Sequence, residues 1–252
     1  MMFGDAGWCV LPKSQAIAQW AAAARQSSLE QISKPEVRET WLQCQGTWFV
    51  GVDVLDNDTA GAIGSVPFPP DLAAAFAGPF HPAQVSVIYP GYPKPRNGEP
   101  EAAFGYRLRR DAAHVDGILA IGPNRQRYLR EPHAYVLGIP LTQTSVGAAP
   151  MVVWEGSHHI IRQAFAAAFE GIEPHNWAQV DVTTLYQDIR RHIFDTCPRR
   201  VIHVPLGAAY AIHPLALHGV APWSEQATAP QEGRMIAYFR PQLTDVADWL
   251  VV

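Results

Sequence analysis

The spacing of hydrophobic residues along the chain changes its period near Gln84. Before that point, the Ala-rich segment 15–25 places apolar residues every three or four positions, as one face of a helix does. Segments 34–44 and 70–76 have the composition of shorter helices, and a proline opens the second of them. We therefore expect residues 1–80 to form a mostly helical N-terminal support.

After Gln84, short apolar runs alternate with polar residues and end at proline or glycine. Residues 84–89, for example, alternate as a half-buried strand does and stop at Pro90-Gly91. The 22 prolines of the chain interrupt long helices but tolerate short strands and turns. The same pattern predicts further strands at 105–109, 114–118, 134–141, 151–154, 201–204, 208–213, 218–220 and 235–239.

Two helical segments interrupt this series of strands. They fall within about residues 161–197 and are predicted to form an insertion between two strands. Short strands separated by turns favour a mainly β fold with flanking helices, either a β-sandwich or a jelly-roll barrel. The sequence has no internal repeat and no linker, so we expect residues 1–252 to form a single domain with a jelly-roll core at 84–241.

Composition and charge exclude several classes of protein. A chain with 48% hydrophobic residues is not intrinsically disordered, and a net charge of −4 argues against a nucleic-acid-binding protein. No apolar run approaches the ~18 residues of a membrane span, and the N-terminus lacks the pattern of a secretory signal. The three cysteines lie far apart, which indicates neither a disulfide framework nor a zinc clip. We expect a globular protein of the reducing cytoplasm, with no nucleic-acid or membrane partner.

Among possible catalytic motifs, His114-Val115-Asp116 is the most informative. The sequence contains no nucleotide-binding glycine loop, no Gly-x-Ser-x-Gly turn and no His-Glu-x-x-His. On a strand, residues i and i+2 project from the same face, so His114 and Asp116 could bind one metal ion. Because His-x-Asp also occurs by chance, a metal site requires further ligands elsewhere in the chain.

The second half of the chain supplies candidates for those ligands. His203, His213 and His218 lie in or beside predicted strands, and Arg234 opens a strand of apolar residues. A buried guanidinium needs an anion, since an unpaired one is costly. Two histidines and one carboxylate form the facial triad of non-haem Fe(II) oxygenases, which leaves coordination positions open. A 2-oxo acid and dioxygen can take those positions, and an arginine suits the far carboxylate of the acid.

Four segments, in order, resemble the phytanoyl-CoA dioxygenase-like branch of the Fe(II)/2-oxoglutarate oxygenases. Residues 114–117 resemble the ligand strand, and 154–158 resemble the Pro-Gly-Ser-His turn of that family, with Glu155 in place of the proline. Residues 207–219 resemble the strand pair that carries the distal histidine, and Arg234 resembles the arginine that binds 2-oxoglutarate. The resemblance implies a double-stranded β-helix, a jelly-roll barrel related to the cupins.

This resemblance also implies an activity and a role for each residue. His114, Asp116 and His218 would bind Fe(II), and Arg234 would bind the distal carboxylate of the cosubstrate 2-oxoglutarate. The implied reaction consumes O2, converts 2-oxoglutarate to succinate and CO2, and hydroxylates a small molecule. Asp116 stands where halogenating relatives have glycine or alanine, which disfavours halogenation.

Two assignments stay open at this stage. The 16 positions from His218 to Arg234 exceed the usual spacing of the family, and Arg240 is the alternative ligand for the cosubstrate carboxylate. His158 and His213 are candidates for contacting substrate or for supporting the metal ligands, and each is otherwise a structural histidine.

Two other classes of function also stay open. One is a cupin-like metalloenzyme that does not use 2-oxoglutarate, and the other is a catalytically silent barrel that acts as a binding protein. The sequence does not identify the substrate. An anionic small molecule is suggested by arginines in predicted loops, namely Arg96, Arg125, Arg127 and Arg130.

Overall fold

A computed structural model describes residues 3–76 and 78–251, and this part of the chain contains both β-strands and α-helices. The strands are β1 (Trp8–Leu11), β2 (Leu42–Gln43), β3 (Trp48–Gly51), β4 (Gln84–Ile88), β5 (Ile118–Ile121), β6 (Gln126–Leu129), β7 (Val136–Pro140), β8 (Met151–Trp154), β9 (Arg199–Ile202), β10 (Ala209–Ile212), β11 (His218–Val220) and β12 (Arg234–Phe239). The helices are α1 (Gln15–Ser33), α2 (Pro35–Trp41), α3 (Pro70–Ala75), α4 (Glu101–Arg109), α5 (Ser157–Ala168) and α6 (Thr183–Thr196). None of the described helices combines the length and the hydrophobicity that crossing a bilayer requires.

Most of the strands form two antiparallel sheets that face each other across an apolar interior. The larger sheet has the order β1-β10-β7-β12-β4-β3-β2, and the smaller sheet has the order β11-β8-β9. A backbone bridge between His114 and His218 adds residue 114 to the outer edge of β11. From β4 onward, the chain passes repeatedly between the two sheets, with β4, β7, β10 and β12 in one and residue 114, β8, β9 and β11 in the other. This connectivity is that of a jelly roll, and it confirms the predicted double-stranded β-helix core.

Strand β12 shows how the alternation of side chains divides the core into layers. Met235, Ala237 and Phe239 pack on the outer face of the larger sheet, where α1 covers them. Ile236 and Tyr238 point between the sheets, among apolar residues of β7, β8, β9 and β10. The outer face of the smaller sheet is covered by α5 and α6. The flanking helices thus lie outside a core of two sheets, as the sequence predicts.

The N-terminal third differs from the prediction of a mostly helical support. Helices α1, α2 and α3 are present, but β1, β2 and β3 belong to the larger sheet. Strand β1 pairs with β10, and β3 pairs with β4, where Phe49 is fully buried opposite Val87. These strands are two to four residues long, so their pairing depends on distant partners rather than on a local alternation of residues.

Two strand predictions in the second third are wrong. Residues 105–109 belong to α4, because the helix begins after Pro100 and includes them in its last turns. Residues 114–118 do not form a strand: His114 makes a single bridge, Asp116-Gly117 is a turn, and β5 begins only at Ile118. The segment 122–132, predicted as a loop, instead carries β6, which pairs with β5 as a hairpin. A run of five residues is too short to distinguish the helical period of 3.6 residues from the strand period of two, so longer-range packing decides the structure of these segments.

The helical insertion lies where the sequence places it, between β8 and β9. Helix α5, a short 3-10 helix at Pro174–Gln179 and helix α6 follow one another across the smaller sheet. Buried residues of α6, including Tyr186 and Ile193, pack under the turn that follows His114. The insertion therefore supports the segment that carries the first predicted metal ligands.

Candidate metal centre

Three predicted ligands converge at one end of the interior between the sheets. Nε2 of His114 lies 3.1 Å from Oδ1 of Asp116, and Nε2 of His218 lies 3.6 Å from the same oxygen. One ligand atom from each residue lies within 4.8 Å of the other two. Residues 104 positions apart in sequence are thus brought to the spacing of ligands around a single ion.

The backbone fixes the two histidines opposite each other. The amide of His114 donates to the carbonyl of His218 at 2.8 Å, and the amide of His218 donates to the carbonyl of His114 at 3.0 Å. In this antiparallel bridge the two side chains project on the same side, and their ring centroids are 4.7 Å apart. The sequence correctly predicts that His114 and Asp116 converge, but a bridge and a turn achieve this rather than a continuous strand.

Two glycines allow the chain to approach this closely. Gly117 has a φ of +84°, and a Cβ at this position would lie 2.1 Å from the carbonyl oxygen of Glu131. A Cβ on Gly219 would lie 2.2 Å from the carbonyl oxygen of Asp111. Any side chain at either position would move the adjacent ligand, Asp116 or His218.

Both histidines present the same ring nitrogen to the site. Nδ1 of His114 lies 3.1 Å from the carbonyl of Ala112, and Nδ1 of His218 lies 2.9 Å from the carbonyl of Ala216. Because a carbonyl oxygen can only accept, Nδ1 carries the hydrogen and donates in each case. Nε2 is therefore the nitrogen that each ring turns toward Asp116, and it is the nitrogen that would bind a metal, as is typical of histidine ligands whose Nδ1 donates to a backbone carbonyl.

Asp116 places a buried negative charge at the centre of the site. The residue is 4% exposed, and its Oδ2 has no hydrogen-bond partner among the described residues. Burial alone would raise the pKa of the Asp116 carboxyl, but hydrogen bonds from His114 and His218 and the charge of Arg240 hold it well below its usual value. Two imidazole nitrogens around an ionised, buried carboxylate fit a divalent cation such as Fe(II).

The three ligands leave one side of the centre open. A cavity of about 280 Å³ begins at His114, Asp116 and His218 and extends between the sheets. Its walls are largely apolar, and the residues that define it include Trp48, Val136, Met151, Val220 and Tyr238. His114 is half-exposed, whereas His218 is buried. A metal bound here would therefore have coordination positions free on the cavity side.

Arg234 lies deeper in the same interior and has no carboxylate partner among the described residues. It is 5% exposed, donates to the hydroxyls of Tyr210 and Tyr238, and keeps Nη1 without a partner. Burial alone would lower the pKa of Arg234, but the two tyrosines outweigh it and raise that pKa above its usual value. The Tyr210 and Tyr238 hydroxyls are themselves 2.8 Å apart. The ring of Tyr238 lines the metal cavity, so this tyrosine stands between the centre and Arg234.

Arg240, the alternative arginine, lies beside the metal ligands instead. Its Nη1 is 3.5 Å from Oδ2 of Asp116, and its Nη2 donates to Oε1 of Gln84 at 2.5 Å. Since residues 234, 236, 238 and 240 alternate onto one face, both arginines point into the interior, at opposite ends of β12. Arg240 is therefore placed to balance the charge of Asp116, and Arg234 to receive an anion at a distance.

His158 and His213 do not line the metal cavity. Their rings are in contact, with centroids 4.7 Å apart and planes tilted by 38°, under the N-terminal segment at Phe3 and Gly7. Burial, together with the charges of His159 and Arg162, lowers the pKa of His158 to about 4. Both histidines therefore lie in a part of the fold that packs the N-terminal segment.

The turn that resembles Pro-Gly-Ser-His also has a structural role here. Oγ of Ser157 accepts the amide of Leu217 at 2.9 Å, which holds the residue before His218. Glu155 accepts from the indole of Trp8 at 3.0 Å and from Arg200 at 2.8 Å. Glu155 is thus occupied by contacts with β1 and β9 and does not reach the metal cavity.

Several residues near the centre were not found from the sequence. Trp48 of β3 forms one wall of the cavity, and Gln84 and Ser86 of β4 are buried polar residues that face it. His133 is 4% exposed, and burial lowers its pKa, although the nearby Asp116 charge opposes this shift. The alternation of Gln84 and Ser86 with two valines was the available signal, because polar residues on one face of a central strand indicate that this face lines a site rather than a closed apolar core.

Comparisons with known proteins give matches only among solved structures. No family model matches the chain, and no curated protein matches it. SnoK, a non-heme alpha ketoglutarate dependent carbocyclase from nogalamycin biosynthesis, is 13% identical over 98% of this chain and 86% of its own, with a TM-score of 0.48. AviO1 from Streptomyces viridochromogenes Tue57 is 14% identical over 97% and 93% of the two chains, with a TM-score of 0.43. HygX from Streptomyces hygroscopicus, solved with nickel, 2-oxoglutarate and hygromycin B, is 12% identical over 96% and 84%, with a TM-score of 0.41. Similarity at this distance assigns no function to the chain.

Proposed function

We propose that this protein is an Fe(II)- and 2-oxoglutarate-dependent dioxygenase that hydroxylates a small molecule. One observation carries the proposal: a two-histidine, one-carboxylate centre opens into the same interior that holds a buried arginine without a carboxylate partner. The two-histidine, one-carboxylate centre suits a metal that also binds ligands from solution. The buried arginine suits the distal carboxylate of a diacid whose other end binds that metal. Solved structures with distant similarity include enzymes described as alpha ketoglutarate dependent, which is consistent with this proposal but does not support it independently.

Each residue of the centre then has a defined task. His114, Asp116 and His218 would hold Fe(II), and the carbonyls of Ala112 and Ala216 fix the orientation of the two imidazoles. Arg240 favours the ionised form of Asp116, so the carboxylate is available as a ligand. When bound, the iron supplies the redox chemistry that couples O2 to the oxidation of 2-oxoglutarate and substrate.

The interior is suited to binding the cosubstrate and excluding water. Arg234, with the hydroxyls of Tyr210 and Tyr238, would bind the carboxylate farthest from the metal. Apolar residues such as Val136 and Met151 line the space near the metal. The balanced reaction is R–H plus 2-oxoglutarate plus O2 giving R–OH plus succinate plus CO2. The three free cysteines and an Fe(II) requirement fit a reducing compartment such as the cytoplasm.

The test is an anaerobic titration of Fe(II)-loaded protein with 2-oxoglutarate. We expect a weak visible absorption band as the 2-oxo acid binds the metal, and we expect slow succinate release once O2 is admitted. The Asp116→Ala protein, treated identically, is the control and should give neither signal. A folded, iron-loaded wild-type protein with no band and no succinate would contradict the proposal and would favour a cupin-like metalloenzyme that does not use 2-oxoglutarate. A folded protein that binds no metal would favour a binding protein.

A further inference from the structure

A wide cleft of about 620 Å³ lies directly outside the metal centre. His114 and Asp116 form part of its wall, and the β5–β6 hairpin, α4 and α6 contribute the remaining sides. Six arginines line it. Arg107 is paired with Glu99, Arg240 lies beside Asp116, and Arg96 lies over the ring of Trp48. The other three come from different elements: Arg125 in the hairpin turn, Arg127 on β6 and Arg190 on α6. The cleft therefore joins the open side of the metal centre to a group of positive charges.

Arg125, Arg127 and Arg190 have no ion pair among the described residues, unlike Arg107 and Arg199. Arg107 pairs with Glu99 at 2.6 Å, and Arg199 pairs with Asp111 at 2.7 Å. Arg190 instead donates to the hydroxyl of Tyr106 at 2.9 Å, and its buried Nε has no partner. The guanidiniums of Arg127 and Arg190 lie 5.8 Å and 4.5 Å from the ring of Tyr186.

The carboxylates nearest to these arginines already have other partners. Glu99 binds Arg107, Glu131 lies 3.4 Å from His133, and Asp116 faces the two ligand histidines. Burial lowers the pKa of Arg127, and the charges of Arg190 and Arg125 lower it further, while the nearby tyrosines oppose this. Arg127 and Arg190 are half-buried and Arg125 is exposed beside them, so the like charges are only partly screened by water. In a chain of net charge −4, this cluster is not the result of a general excess of basic residues.

We propose that Arg125, Arg127 and Arg190 bind an anionic group of the substrate, either a phosphate, a sulfate or a carboxylate. This inference rests on the proposed function, since it takes the cleft as the path by which substrate reaches the metal. Guanidinium groups on two or more elements can form several charge-assisted hydrogen bonds to one oxyanion. Tyr186 packs beneath two of the arginines, and its hydroxyl accepts the amide of Val115, between the ligands His114 and Asp116, at 2.8 Å. The anion site and the metal ligands therefore share one rigid support.

The test measures anion binding to the metal-free protein by calorimetry at low ionic strength. Inorganic phosphate, sulfate and acetate are titrated separately into wild type, Arg127→Gln, Arg190→Gln and a matched control, Arg130→Gln. Arg130 is exposed, stacks on Tyr128 and does not line the cleft. We expect at least one anion to bind at millimolar concentration, and each cleft variant to bind it at least about tenfold more weakly, while the control is unchanged.

The Arg234→Gln protein separates this site from the proposed cosubstrate site. Binding that survives in Arg234→Gln and is lost in the cleft variants supports the inference, and the preferred anion identifies the substrate group. Binding of none of the three anions overturns it, as does binding that is lost only in Arg234→Gln or is equal in all variants. Circular dichroism confirms that each variant is folded. Because neither iron nor 2-oxoglutarate is present, the result is independent of whether the oxygenase titration succeeds.

Discussion

Two groups of histidines in this protein look similar in sequence and behave differently in the structure. His114 and His218 meet around the buried carboxylate of Asp116 and face a cavity. His158 and His213 are also buried, yet their tilted rings pack against each other under the N-terminal segment. The first group thus has a shared anion and an open side, which the proposed metal centre needs, whereas the second group has neither the carboxylate nor a place in the cavity wall.

The ring nitrogens of the two groups show the same distinction. In the first group, backbone carbonyls take the Nδ1 hydrogens and leave both Nε2 atoms turned to Asp116. In the second, Nε2 of His213 lies 2.8 Å from a guanidinium nitrogen of Arg162, and its Nδ1 lies 3.0 Å from the amide nitrogen of Leu215. The guanidinium of Arg162 thus occupies the position next to Nε2 of His213 that a metal ion would need.

The largest expected effect comes from removing the carboxylate. Asp116→Ala deletes the only anionic ligand of the first group, and we expect Fe(II) affinity to fall by more than about a hundredfold. His213→Gln, the matched substitution in the second group, should leave Fe(II) affinity within about twofold, because its ring nitrogens contact protein groups. Anaerobic calorimetric titration of Fe(II) measures both.

An equal loss of iron in the two variants would abolish the distinction between the groups. Circular dichroism of both metal-free variants checks that each is folded, so that a loss of Fe(II) affinity is not a loss of structure.

An intermediate effect is expected from the buried arginines. Arg234→Gln should weaken 2-oxoglutarate binding by roughly ten- to a hundredfold without changing Fe(II) affinity, because Arg234 contacts tyrosines and none of the ligands. Arg240→Gln should instead strengthen Fe(II) binding a few-fold, since it removes a positive charge 3.5 Å from Asp116. The visible band and the Fe(II) titration together distinguish the two. A loss of 2-oxoglutarate affinity confined to Arg240→Gln would transfer the cosubstrate role to that residue.

The sequence predicts the jelly-roll core well because its signal is local. Alternating residues and proline-terminated runs mark β4, β7, β8, β10 and β12, and these strands have the predicted place in the chain. Short strands such as β1 and β3 were missed, since they are held by pairing with partners distant in sequence. The residues 105–109 were assigned to a strand because five residues fit either period, and only the start of α4 at Glu101 resolves the choice.

The candidate site was predictable only in part, because local motifs can be read from the sequence whereas contacts between distant residues cannot. His-x-Asp and the downstream His-Gly are short motifs, and the structure brings their side chains together. Whether Arg234 or Arg240 lies beside the ligands depends on which end of β12 meets Asp116, and that is a tertiary property. His158 was a reasonable candidate from its motif, but packing of Gly7 against its ring, which no local pattern encodes, places it under the N-terminal segment.

The last expected effect concerns the second histidine group, and it changes the stability of the fold rather than ligand binding. Burial, with the charges of His159 and Arg162, lowers the pKa of His158 to about 4 in the folded state, against about 6.5 when unfolded. The unfolded chain therefore binds the proton more readily between these values, and the free energy of unfolding should fall as pH drops through this window. Protonation of His158 does not reduce the free energy of unfolding above about pH 6.5, and the reduction is complete below about pH 4.

For His158 this linkage amounts to about 2 kcal/mol between pH 7.5 and pH 5. Urea unfolding of metal-free wild type and His158→Gln at the two pH values isolates it, since every other titrating group is common to both proteins. We expect wild type to lose more stability on acidification than the variant by about that amount, while Fe(II) affinity at pH 7.5 is equal in the two. An identical pH dependence would mean that His158 titrates normally. An altered Fe(II) affinity would mean that the two histidine groups are coupled after all.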